Sequence, residues 1–305
     1  MTRIQFIFYG LFLLLISLFS GIGQIDESVE IFAAAILVVL VGIPHGAVDH
    51  VLFLDGKKVN PLLFYGAYLG LILINIAFWI WLPLFSLIFF LLNSAVHFGQ
   101  SQFSDFTKIP RKVSLVLNSA WGTSILLGLI SYHFTEISAV VNQTPDLLSF
   151  GLLLNQKIIS LLLVLSTLTA IMLMVYSAVI KKIPFEKLLL ELIILGLIHV
   201  SFFLLPLLIG FTLYFVLLHS LKVLVEEFKY LRFKKRGLSV FGFIRMLAPF
   251  TSLSIFFGAV VVLMVYFGML QVSYALIFLV LLSAITLPHS IVMDQFYKSG
   301  FLKIR

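Results

Sequence analysis

Residues 30–54 read EIFAAAILVVLVGIPHGAVDHVLFL, and this stretch decides how the chain is built. It is apolar enough and long enough to cross roughly 30 Å of hydrocarbon, which takes about 20 helical residues. Yet its second half carries His45, Asp49 and His50. Polar side chains are costly in a bilayer, and those found there tend to mark function. The stretch therefore predicts a membrane span that also holds chemistry.

Similar apolar runs recur along all 305 residues. The chain is 62% hydrophobic and 11% charged, with a mean hydropathy of +1.18. Soluble domains carry about 45–50% apolar and 25% charged residues, so a soluble fold of this length is excluded. Backbone groups in lipid must satisfy one another, which leaves helices or a closed barrel, and barrel-like alternation is absent. We expect an all-α polytopic bundle of about ten spans, near 4–20, 30–54, 61–82, 84–105, 112–133, 156–180, 187–205, 207–228, 247–269 and 272–296. The run 4–20 is expected to be a retained helix, because no small-residue cleavage site ends it and an acidic stretch follows. Pro61, Pro83, Pro110, Pro184, Pro206 and Pro249 are expected at helix starts or in connections, where a missing N–H is harmless. Short loops predict antiparallel neighbours, and no linker divides the chain, so 1–305 is expected to form one integral membrane domain.

Of the 20 Lys and Arg, all but Lys157 and Lys222 lie at the N-terminus, in every second loop or at the C-terminus. The intervening loops carry Asp26, Glu27, Glu30, Glu136 and Asp146 instead. This alternation predicts a multi-pass protein of the cytoplasmic membrane with both termini cytoplasmic. It also accounts for the net charge of +7 without nucleic acid as a partner; membrane lipid is the expected surrounding. There is no cysteine, which excludes disulfides, thiolate metal sites and cysteine nucleophiles.

Seven histidines remain to be placed. His45, His97, His219 and His289 precede the next basic loop residue (Lys57, Lys108, Lys229, Lys298) by 12, 11, 10 and 9 positions. At 1.5 Å per residue the four depths agree within about one helical turn. Four spans offering imidazole at one level predict a metal centre, since imidazole suits Fe, Zn and Cu, and bundle cores build such sites from facing helices. His50 is a possible additional ligand. Asp49, Asp294 and Asn93 are candidates to orient the ligands; Asp49 sits four positions after His45, on one helical face. His133 and His199 fall towards the opposite membrane face and are expected to serve packing. HxxxH di-iron boxes, HExxH and DxxxD are absent. A polyene slot among the 32 Phe, 10 Tyr and 3 Trp cannot be assigned from sequence.

The motifs GIPHGAVDH (42–50), HFG (97–99), HS (219–220) and LPH (287–289) resemble, in order and over nearly the whole chain, the Brp/Blh family of membrane β-carotene 15,15′-dioxygenases. The resemblance implies a single non-haem Fe(2+) on histidines. It implies cleavage of β-carotene by O2 at the central double bond into two all-trans-retinal, with retinal passed on to a rhodopsin. Carried over by position, His45, His97 and His219 are ligand candidates, with His289 or His50 completing the shell. The family's HSxRH stretch reads His219–Ser220–Leu221–Lys222–Val223 here, so its second histidine is replaced by Val223; the acidic residue common after HFG is Gln102. Two other readings stay open: a transporter or proton relay using the intramembrane His and Asp, and a catalytically inactive relative that handles carotenoid or retinal.

Overall fold

The computed structural model describes residues 26–298 and positions 10, 12, 13, 15, 17 and 18. The expected span 4–20 falls mostly outside the described residues, which include six of its positions. Among the described residues the chain is helical throughout, with nine helices long and apolar enough to cross a membrane.

The first of these nine, Ser28–Leu54, is not one regular helix. It starts as α1 (Glu27–Leu37), widens into a π turn over Val38–Gly42 and tightens into a 3-10 turn over Ile43–Gly46. It then resumes as α2 (Asp49–Leu54). Pro44, with no N–H to donate, lies at the change of pitch. Then come α3 (Pro61–Trp81), α4 (Pro83–Gln102) and α5 (Arg111–Tyr132). The connection after α5 contains structure that hydropathy does not announce: a short helix α6 (Phe134–Gln143) and a 3-10 stretch Pro145–Leu153. α7 (Gln156–Val179) and α8 (Phe185–Leu204) follow. The seventh span is again interrupted: α9 (Leu207–Leu213), a π segment Tyr214–Ser220, and α10 (Leu221–Lys234). α11 (Val240–Tyr266) and α12 (Tyr274–Lys298) complete the chain.

Two of the expected boundaries need correction. The span read as 207–228 runs to Lys234, because Glu226, Glu227 and Tyr230 are buried and hold the helix past the apolar run. The span read as 247–269 begins at Val240, so Pro249 lies inside α11 rather than at its start. Pro61, Pro83, Pro110, Pro184 and Pro206 do occupy helix starts.

Charge is segregated by end. Glu30 accepts from the Leu208 amide (3.1 Å) and Asp146 from the Ser273 amide (2.6 Å), so the acidic connections gather where α1, α9 and α12 begin. At the other end Lys57 donates to Gln295 and Lys234 pairs with Asp55 at 3.0 Å.

Spans α4 and α5 pack at backbone contact. A Cβ on Gly122 would lie 1.8 Å from the Ala95 carbonyl oxygen, and one on Gly99 2.1 Å from that of Asn118. Lipid gives helices no hydrophobic reason to associate, so such small-residue contacts supply the dispersion that holds them. A larger apolar cluster, including Leu117, Trp121, Ile198, Phe202 and Leu213, joins α4, α5, α7, α8 and α9. A second, including Val48, Phe64, Val223, Leu231 and Met293, joins α2, α3, α10, α11 and α12. The outer surface is apolar, as a lipid belt requires: Leu62, Ile80 and Leu152 are each more than 70% exposed.

Candidate metal centre

Four imidazoles meet where the two apolar clusters adjoin. His45 comes from the 3-10 turn after α1, His97 from α4, His219 from the π segment and His289 from α12. Their rings form a closed circuit: His45–His289 4.7 Å between centroids, His289–His97 5.0 Å, His97–His219 4.9 Å and His219–His45 5.3 Å. Each contact is edge-to-face, between 77° and 89°. His45, His97 and His289 each present a nitrogen within 4.8 Å of the other two. His219 lies outside that tightest group and joins it through its ring contacts with His45 and His97.

Local irregularity puts two of these rings in place. π turns are rare in helices and concentrate at functional sites. Here one precedes His45 and another contains His219. Gly46 allows close approach from α12, since a Cβ there would lie 3.3 Å from Nδ1 of His289. In α12, Pro288 directly precedes His289, which frees the carbonyl one turn back.

Hydrogen bonds anchor one nitrogen on three of the four rings. Nδ1 of His45 donates to the Gly42 carbonyl, which can only accept. Nδ1 of His289 donates to the Asp49 carboxylate, at 2.9 Å and 3.1 Å to its two oxygens. Nδ1 of His219 lies 2.9 Å from the Ser101 hydroxyl. That hydroxyl gives its own proton to the Phe98 carbonyl at 2.9 Å, so it accepts from His219. All three rings are therefore Nδ1–H tautomers with the Nε2 lone pair free. Nε2 of His219, Nε2 of His289 and both nitrogens of His97 are buried with no hydrogen-bond partner. An unpaired buried polar atom costs about 1–3 kcal/mol, so orphans on three neighbouring rings need a common explanation. His45, His97 and His289 could hold a metal ion between them, which would satisfy one nitrogen of each ring, and neutral imidazole with an anchored Nδ1–H is the usual metal-binding form.

The surroundings exclude water. His97, His219 and His289 are each at most 2% exposed and His45 is 9% exposed. Phe98 packs against His219 at 4.8 Å, and Phe215 stacks on it at 5.7 Å and meets His45 at 5.6 Å.

The other sequence candidates take different places. Asp49 does not serve His45, because the turn at 47–48 breaks the helix and the four-residue spacing no longer means one face. It bonds His289 instead, and its outer oxygen accepts from Tyr68 at 2.9 Å. His50 lies apart, against Phe250 (4.6 Å) and Tyr65 (6.1 Å). Asp294 accepts from Gln100 at 3.0 Å and from Lys298, and no histidine reaches it. Asn93 accepts from Ser290 at 3.0 Å, one residue from His289 but not on its ring. Val223 is fully buried in the second apolar cluster.

Two supports escaped the sequence reading: Tyr68 behind Asp49, and Lys222. Lys222 donates to the last carbonyls of α4, at Ser101 and Gln102, the latter at 2.6 Å. A cation at a helix C-terminus is favourable, and this one fixes the turn that carries Ser101. Gln102 in turn donates to Glu191 at 2.6 Å. The signal for Lys222 was its position outside the loops that hold nearly all other bases.

The family model described as Beta-carotene 15,15'-dioxygenase matches residues 36–297. A Beta-carotene 15,15'-dioxygenase from Uncultured marine bacterium 66A03 is 27% identical over 288 residues, which span 90% of this chain and 96% of that protein. No solved structure matches the chain significantly.

Proposed function

This chain belongs to the beta-carotene 15,15'-dioxygenase family, and on that footing we propose that it cleaves β-carotene with O2 at the central double bond, giving two molecules of all-trans-retinal. The centre is Fe(2+) on His45, His97 and His289, with His219 as the fourth imidazole. The observation that carries this reading is the meeting of four imidazoles from four spans, three of which hold buried nitrogens without a hydrogen-bond partner.

When bound, ferrous iron supplies the activation of O2 that cleavage of a double bond requires. The chain's own residues do the rest. The Gly42 carbonyl, the Asp49 carboxylate and the Ser101 hydroxyl hold Nδ1–H of His45, His289 and His219, so that each ring offers Nε2 inward. Tyr68 holds Asp49 from behind. Phe98 and Phe215 keep the site dry, which favours O2 chemistry on an apolar substrate over side reactions with water. A hydrocarbon substrate dissolves in the bilayer, and a centre set within the spans is reached from the side without passing through water. The separation of acidic and basic ends supports a cytoplasmic position for the end that carries Lys57 and Lys234.

The test has two readouts. The full chain is purified in detergent and its metal measured, and the same chain is expressed in a β-carotene-producing bacterium. Near-stoichiometric iron and bleached cells that accumulate retinal are expected. Cells that stay orange while the membrane holds iron-loaded protein would sink the cleavage reaction. Protein without iron would sink the centre itself.

A further inference from the structure

A cavity of about 550 Å³ opens at the basic end of the bundle, between the α4–α5 connection and the α7–α8 connection. Its lining includes Lys108, Lys181, Lys182 and Lys187, with Asp105 as its only acid. None of these four lysines is ion-paired among the described residues. Lys187 rests over the Phe106 ring at 5.2 Å. Four like charges around one hollow, against the single acid Asp105, make a positive field that favours an anion between them. Lys181 holds a φ of +56°, a left-handed conformation found at no other non-glycine among the described residues. It caps the end of α7, where the Lys181 and Lys182 amides donate to Ala178 and Ser177, and it sets the turn that brings Lys181 and Lys182 to the cavity.

The rim identifies the source of the anion. Phe185, in the lining, is 74% exposed, and Val179 just above it is 73% exposed. Met172, Val175 and Val179 continue an exposed apolar face of α7 from the cavity into the span. A soluble phosphate has no use for that face, whereas a lipid lays its acyl chains along it. Basic pockets between spans bind anionic headgroups in this way. We propose that this cavity binds the phosphate headgroup of an anionic membrane lipid. The lipid ties the α4–α5 connection to the α7–α8 connection. Lys187 lies in the field of Glu191, whose carboxylate bonds Gln102 beside Ser101. The bound lipid thus steadies the end of α4. This inference stands on the cavity alone and does not depend on carotenoid cleavage.

The test uses the full chain in phosphatidylcholine nanodiscs, with or without phosphatidylglycerol, read by thermal unfolding and by native mass spectrometry. Phosphatidylglycerol is expected to raise Tm by about 5 °C and to leave a retained lipid in the mass spectrum. The triple variant K108Q/K182Q/K187Q should lose both effects. A charge-matched variant of exposed bases elsewhere, K58Q/K235Q/R236Q, should keep them. Where the triple variant does not fold, the single variants K108Q and K182Q should each show a reduced shift. Equal shifts in the cavity and control variants would overturn the site in favour of diffuse attraction. So would the absence of a shift in the unaltered chain. A shift reproduced by inorganic phosphate alone would overturn the lipid assignment.

Discussion

Two groups of imidazole within the spans, half-buried His199 and the buried quartet, behave in opposite ways. His199, on α8, has both nitrogens occupied: Nε2 lies 3.0 Å from the Ser124 hydroxyl and Nδ1 3.3 Å from that of Tyr132. It is a helix-to-helix link of the kind polar residues make in membranes, worth about 0.6 kcal/mol on average. The quartet of His45, His97, His219 and His289 anchors one nitrogen of three rings and leaves buried nitrogens of His97, His219 and His289 without a partner. The difference teaches that histidine within a span is not in itself a sign of chemistry. The sign is several rings from different spans gathered at one place, with buried nitrogens that the fold declines to satisfy.

The contrast can be broken by mutation. His97→Ala removes a ring with no support of its own, and it is expected to lower bound iron and retinal formation at least 100-fold while the protein remains in the membrane. His199→Ala should leave iron content unchanged and cost about 1 kcal/mol of stability. If the two variants lose metal equally, the distinction falls. Removing the metal comes next in size. A chelator should lower the Tm of the native chain by several degrees, as loss of a folded-state ligand does, and should leave that of His97→Ala unmoved. Asp49→Ala should weaken iron binding about 10- to 100-fold, with Asp49→Asn milder because an amide oxygen still accepts from Nδ1–H of His289. Ser101→Ala should cost less, about 10-fold at most, because Phe98 and Phe215 still hold the His219 ring. His50→Ala, on a ring set against Phe250 and Tyr65, should leave metal content as it was. Metal analysis by mass spectrometry, with retinal measured by chromatography, reads each of these.

A separate change probes the frame of the site. Gly122→Val drives side-chain carbon into the Ala95 carbonyl and should separate α4 from α5. The expected cost is about 3 kcal/mol or more, seen as a fall in Tm together with metal loss, since α4 carries both His97 and Ser101.

Much of this was legible in the sequence. Hydropathy and length gave seven of the nine spans among the described residues within about three residues, because each apolar run must cover the same hydrocarbon thickness and no other backbone form survives there. Equal distances from the basic loops put His45, His97, His219 and His289 at one level, because rise per residue is nearly constant along a helix. Angular position was another matter. The π turns at 38–42 and 214–220 and the 3-10 turn at 43–46 each change the rotation per residue. A reading at a fixed helical pitch therefore assigned Asp49 to His45, and the folded chain gives it to His289, 240 positions away. Which nitrogen is anchored depends on Gly42, Asp49 and Ser101, acceptors from two different spans. The depth of these residues follows from local geometry along one helix; their partners follow from how nine helices turn against one another, and no single stretch of chain contains that information.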